Sequence, residues 1–163
     1  MRATARTELL IIGAGPFAYA VSARAIARGL DHIVVGKPLA MWREHMPQGM
    51  LLRSAYDWHI DPQEQHTFER YLQINGLSAD LPIALERFLD YATWFQQQSG
   101  IQVTPSLVVD LKREADHYVA ELDDGSMVQA SKVVCAPGFL AFRNIPLELV
   151  RGVRAEDWSH SAD

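Results

Sequence analysis

Cysteine is nearly absent from this chain. One thiol, Cys135, in 163 residues leaves no internal disulfide and no CxxC redox centre. Long apolar runs are missing as well; none approaches the roughly 20 residues that a membrane-spanning helix needs. The opening segment, Met1 to Glu8, carries two arginines but no apolar stretch of its own. The run Leu9–Ile12 that follows ends in glycine, which reads as a strand rather than an export signal. There is no basic block: 15 Lys and Arg are interspersed with 20 Asp and Glu for a net charge of −5, which argues against a nucleic-acid partner. His59, Asp61, Glu64, His66 and Glu69 gather potential ligands, but their spacing matches no metal motif, and they read as a solvated loop. Ser54, Ser106 and Ser131 lack the context of a nucleophile elbow. Repeats and low-complexity segments are absent too. The expectation is a cytoplasmic protein with no membrane, nucleic-acid or metal partner. With 48% apolar and 21% charged residues, the chain is expected to form one domain over 1–163 with a real core.

What is present is organised around Leu9-Leu10-Ile11-Ile12-Gly13-Ala14-Gly15-Pro16-Phe17-Ala18. Four apolar residues run into Gly13, Gly15 follows two later, and small Ala18 three after that. A helix is expected over Pro16–Arg28, capped by Gly29, and a second strand over His32–Val35. Strand, glycine turn, helix and strand in this order make a dinucleotide-binding βαβ unit. Gly13 allows a sharp turn off the strand. Gly15, without a Cβ, lets a pyrophosphate approach the backbone. Pro16 suits the first helical position because its missing N–H has no intrahelical partner there. The remaining free N–H groups and the positive helix end face the phosphates. Ala18 is small enough for the helix to pack on the strand.

Gly36-Lys37-Pro38 then breaks the pattern. Leu39–Asp61 reads as a short helix around Met41–His45 followed by a long structured loop, a kind of segment that is usually functional. A short helix is expected over Pro62–Leu72, a turn at Asn75-Gly76, and a clear amphipathic helix over Pro82–Ser99, with Leu85, Phe88, Leu89, Ala92 and Phe95 at helical spacing. Short strands are expected at Ile101–Val103, Leu107–Lys112, Tyr118–Leu122, Met127–Ala130 and Lys132–Ala136. Asp123-Asp124-Gly125 marks a hairpin and Pro137-Gly138 closes the last strand. Phe139–Asp163 reads as a tail. The fold class is therefore α/β: a parallel sheet with helices, and an antiparallel β-meander laid against it. A simple nicotinamide dehydrogenase would continue βαβ after the second strand, and this chain does not.

In that layout the chain resembles the N-terminal, Rossmann-like FAD-binding part of flavin-dependent oxidoreductases with two dinucleotide-binding domains. The nearest group is the flavin-containing, Baeyer–Villiger and N-hydroxylating monooxygenases. Three stretches carry the resemblance: Gly13–Ala18; Met41 to Ser54, similar to a loop beside the flavin; and Val133-Val134-Cys135-Ala136-Pro137-Gly138, similar to the link between the two domains. Trp158 to Asp163 also resembles the segment before the family's nicotinamide domain. The resemblance implies FAD as cofactor, with NADPH as reductant in the family. It implies that the amides of Gly13, Gly15, Phe17 and Ala18 hold the pyrophosphate. Trp42, Met50, Leu52 and Arg53 would lie along the flavin and ribityl chain, Val108 would meet adenine, and Ala136 and Gly138 would pass near the pyrophosphate or flavin. It assigns no catalytic residue. His45, beside Trp42, is read either as a partner for a flavin carbonyl or substrate, or as a loop brace. Arg53 is read either as a charge partner for the cofactor or as half of a surface ion pair.

Three departures stand out. The second strand of the family ends in an acid that binds the adenosine ribose; here Gly36 and Lys37 stand there, which leaves a single-domain NADP-binding protein open as a reading. Pro137 replaces a small or hydroxyl residue and removes a backbone donor. No second glycine motif follows. The expectations are thus an FAD-binding half-domain of an NADPH-linked, monooxygenase-like oxidoreductase or, as an alternative, a non-catalytic, partner-dependent nucleotide-binding subunit. Phe139, Leu140, Phe142, Ile145, Leu147, Leu149 and Val150 would mediate self-association or contact with a partner chain.

Overall fold

The structure, a computed structural model, describes residues 4–160. Met1–Ala3 and Ser161–Asp163, the last part of the tail motif included, lie outside the described residues. In chain order the elements are β1 (Thr4–Ile12), α1 (Pro16–Ala27), β2 (His32–Val35), α2 (Ala40–Glu44), β3 (Leu51–Leu52), α3 (Phe68–Ile74), β4 (Ile83–Ala84), α4 (Leu85–Gln98), β5 (Val103–Thr104), β6 (Val108–Glu114), β7 (His117–Leu122) and β8 (Met127–Cys135). Two single turns of 3-10 helix, Leu140–Phe142 and Ala155–Asp157, follow.

Six strands form one sheet in the order β5-β2-β1-β8-β7-β6. The first four are parallel and the last three antiparallel, so β8 belongs to both halves. Its shape follows from the length of chain between two of its strands. β5 and β6 stand at opposite ends of the order, yet only Pro105, Ser106 and Leu107 connect them. Three residues reach across at most about 14 Å, whereas five flat strand spacings measure about 24 Å. The sheet must therefore curl until the meander lies over the parallel layer. A second core fills the fold: Leu10 of β1 and Val35 of β2 cluster with Ala120, Leu122, Val128 and Ala130 of the meander. The crossing is pinned at both its chains. Asp123 N–H donates to Leu107 C=O, and the Asp123 carboxylate accepts from Leu107 N–H at 3.0 Å.

Successive side chains of β1 alternate across the sheet. Leu9 and Ile11 enter the helix-side core while Leu10 enters the meander-side core. This is why the sequence reads as a continuous apolar run rather than an alternating one. The helix side is the larger core, built on α1, α3 and α4 around Tyr19, Phe68, Phe88, Tyr91 and Phe95. Phe68 and Tyr91 stack with centroids 4.2 Å apart. The Tyr91 hydroxyl accepts from Ile60 N–H and donates to His66 C=O, so one buried ring fixes both ends of the loop that precedes α3.

Several boundaries differ from the sequence reading. The expected helix over Pro62–Leu72 is Phe68–Ile74. The buried Asp61 carboxylate accepts from the N–H groups of Gln63, Gln65 and His66, and Glu64 takes φ +57, so this stretch is a tight loop, not a helix start or a solvated one. Thr67 then caps α3 by accepting from Arg70 N–H. The helix expected from Pro82 begins at Leu85, because Ile83 and Ala84 first pair with Leu52 and Leu51. The two strands expected at Met127–Ala130 and Lys132–Ala136 are one strand, β8, paired with β1 along its length. Cys135, in the apolar run Val133-Val134-Cys135, is exposed: β7 pairs only as far as Ala130, which leaves this end of β8 flanked by β1 alone among the described residues.

Candidate functional site

The glycine turn leaves β1 at its C-terminal end, between β2 and β8. Gly13 N–H donates to Val35 C=O at 2.7 Å, and Ala136 N–H donates to Ile12 C=O at 2.7 Å. The ends of three parallel strands meet there, where ligands bind in open α/β sheets. The glycines serve different ends. Gly13 has φ +116, and a Cβ on it would stand 2.1 Å from the Ala136 carbonyl oxygen. Gly36 has φ +153, and a Cβ would meet Ala14 N at 2.8 Å and Gly13 C at 2.9 Å. Both are glycines because backbone packs against them.

Gly15 is the opposite case. Its φ of −93 and ψ of −175 are extended values that any residue adopts, and a Cβ there would find nothing within 4 Å. The fold sets no demand for glycine at 15; its bareness leaves space outside the protein. The same residue is the N-cap of α1. It offers no side-chain cap, and the first helical turn carries no acid. The helix's first bond along the chain runs from Tyr19 N–H to Gly15 C=O. The amides of Phe17 and Ala18 come before it and have no intrahelical acceptor. A 12-residue helix thus presents its positive end and its free donors at a bare glycine. The arrangement fits a diphosphate.

Seven of the sequence-predicted residues come together here: Gly13, Gly15, Pro16, Phe17, Ala18, Gly36 and Ala136; Lys37 follows Gly36 in the chain, and Gly138 lies two residues beyond Ala136. Pro16 occupies the first turn. Ala18 is fully buried under α1 and serves packing, while Phe17 is 74% exposed beside the turn. The loop of the second motif is tied to the same turn. Leu39, held at φ +55, donates its N–H to Ala14 C=O and accepts from Trp42 N–H, which hangs α2 directly on the glycine loop. Trp42 is half-buried against Phe88 at 4.6 Å between ring centroids. Met50 C=O accepts from Leu85 N–H, and Leu52 pairs with Ile83, so both are fixed on the start of α4. Arg53 is exposed. Val108, at the start of β6, packs against the meander-side core that also holds Val35, the residue before Gly36.

One feature escaped the sequence reading. Ala14 holds Leu39 through its carbonyl and lies against Gly36 through its nitrogen; the sequence offers no signal for it beyond its place between two glycines. His45, read either as a flavin or substrate partner or as a loop brace, has its Nδ1 buried with no hydrogen-bond partner among the described residues. A groove of about 490 Å³ lies elsewhere, between Arg6, Glu8, Asp31 and His117. It takes no part in the glycine turn.

No family model and no curated protein matches the sequence. Solved structures do match. The chain superposes on a bacillithiol disulfide reductase from Staphylococcus aureus with a TM-score of 0.68 at 14% identity, over 82% of this chain and 39% of that one. A flavin-containing monooxygenase from Stenotrophomonas maltophilia gives 0.67 at 19% identity, over 81% and 38%. Cyclohexanone monooxygenase from Rhodococcus sp. Phi1, in a structure bound to NADP+, gives 0.67 at 20% identity, over 88% and 28%. The fold is the Rossmann-like one that these oxidoreductases share. The chain spans well under half the length of each of them.

Proposed function

We propose that this chain is the FAD-binding half of a flavin-dependent, NADPH-linked oxidoreductase of the monooxygenase type. The observation that carries the reading is Gly15: a bare, unstrained glycine at the uncapped N-terminus of α1, where the ends of β1, β2 and β8 meet. In this reading the amides of Gly15 and Phe17 donate to the diphosphate; the Gly13 amide, also expected to do so, is already given to Val35 C=O, and Ala18 is fully buried. Trp42, Met50, Leu52 and Arg53 line the path of the flavin and ribityl chain, and His45 Nδ1 finds its missing partner on that path. Val108 meets adenine through its backbone, and Ala136 and Gly138 close the site from β8. A bound flavin supplies the hydride chemistry that the side chains lack; the chain binds it, orients it and keeps water from one face.

The exposed apolar tail favours a partner. Phe139, Phe142, Leu147 and Leu149 are each at least 70% exposed. In this reading they meet a second chain, and activity belongs to that assembly. Thermal shift with FAD, FMN, NADP+ and ADP in parallel tests the proposal. A ligand that binds only the native state raises Tm by mass action. FAD is expected to give the largest rise among the four, and no rise with any of them would contradict the reading.

A further inference from the structure

The six-stranded sheet has two edges. β5, at one of them, is two residues long. β6, at the other, is seven residues long, carries no proline, and has β7 as its single strand partner among the described residues. The open side of such a strand is a row of unpaired N–H and C=O groups, a template for a further strand. β6 also keeps apolar side chains in solvent. Val109, which the ladder to β7 skips, and Leu111 are both exposed. Leu111 stands opposite Ala120, at the rim of the meander-side core.

Charge decides what fits this edge. Edge lysines and bulges ordinarily deter pairing. Here Lys112 follows Asp110 by two residues, on the same face, with Nζ 2.6 Å from the carboxylate. Two identical antiparallel strands related by a two-fold axis normal to their sheet place one residue opposite itself. With the axis at Leu111, the two leucines meet and each Asp110 faces Lys112 of the other copy. Two exposed ion pairs then become a square of four alternating charges. With the axis at Asp110, Lys112, Arg113 or Glu114, a charge faces its own copy; at Val108 or Val109, no opposite charges meet. Opposite charges across strands stabilise a pair and like charges destabilise it. We infer that β6 docks a second copy of this chain, antiparallel about Leu111, with Asp110 of each copy opposite Lys112 of the other. The inference is independent of the glycine turn and of the apolar tail.

The test uses the full chain carrying Leu147→Glu and Leu149→Glu, so that association through the tail does not mask the edge. In low salt its sedimentation equilibrium is expected to show reversible exchange between monomer and dimer. Asp110→Lys sets lysines opposite lysines, and Lys112→Asp sets acids opposite acids; each alone is expected to weaken the dimer about tenfold. An equimolar mixture of the two variants is expected to associate as tightly as the parent, because every Lys at these positions then faces an Asp. Amide exchange of the unsubstituted chain reads the same contact without any variant: exchange across Asp110–Glu114 is expected to slow as concentration rises. Dimerisation that ignores both charge changes, a mixture that fails to recover, or exchange at β6 that does not depend on concentration would overturn the inference. So would a chain that stays monomeric up to about 1 mM, which leaves the edge to an extended segment of another protein.

Discussion

At the scale of single residues, the two glycines of the turn separate folding from binding. Gly13→Ala drives a Cβ into the Ala136 carbonyl at a φ that L-residues avoid. It is expected to destabilise by about 3 kcal/mol or more, measured by chemical denaturation. Gly15→Ala meets no atom and no strain, so stability should stay within about 0.5 kcal/mol of wild type. FAD affinity should nevertheless fall at least about tenfold, because the new methyl stands where the diphosphate comes close. A Gly15→Ala protein that keeps full affinity would contradict the assigned site. The buried tyrosines predict a pH limit. Burial pushes the Tyr19 hydroxyl up to about 12, against a smaller lowering by Arg43, and burial raises Tyr91 as well. In the unfolded chain both ionise near pH 10. Their contribution to stability is therefore complete below pH 10 and is lost as the pH rises from 10 through the folded values. Denaturation midpoints from pH 8 to 12 should be flat and then fall, and Tyr19→Phe should soften the fall.

At the scale of elements, Asp61 shows what local reading misses. Its neighbours His59, Glu64 and His66 look like a polar loop. The carboxylate is instead buried and accepts three backbone N–H groups, between 2.7 and 2.9 Å. Asp61→Ala is expected to cost about 3 kcal/mol and to open the loop before α3. Faster amide exchange at Gln63, Gln65 and His66 would register it, and unchanged exchange would contradict it. The βαβ unit was legible because each part is local: four apolar residues, a glycine turn, a helix with Pro16 at its start and Gly29 at its end. Gly29, at φ +63, does follow the last turn of α1. The meander was legible from Asp123-Asp124-Gly125 and its flanking strands. The start of α4 was not, because Ile83 and Ala84 are drawn into pairing by Leu52 and Leu51, which lie far back in the sequence. Nor was the exposure of Cys135, since the apolar run Val133-Val134 does not tell which strand edge lacks a neighbour. The curl of the sheet follows from strand order, which no local pattern encodes.

At the scale of the whole molecule, a three-residue crossing folds the sheet over, and its two cores are bound through β1 and β8. The exposed apolar tail lies beyond that fold. In sedimentation velocity the chain is expected to self-associate with rising concentration, and Leu147→Glu with Leu149→Glu to weaken association. A monomer at all concentrations would contradict a self-association role for the tail. Neither result bears on the glycine turn, which stands on its own geometry. The measurement that tests the turn most directly is an absorbance spectrum of the purified full chain, taken after incubation with FAD and removal of free ligand. The account predicts a yellow protein with flavin bands, and acid release of stoichiometric FAD. A colourless protein that takes up no FAD would contradict it.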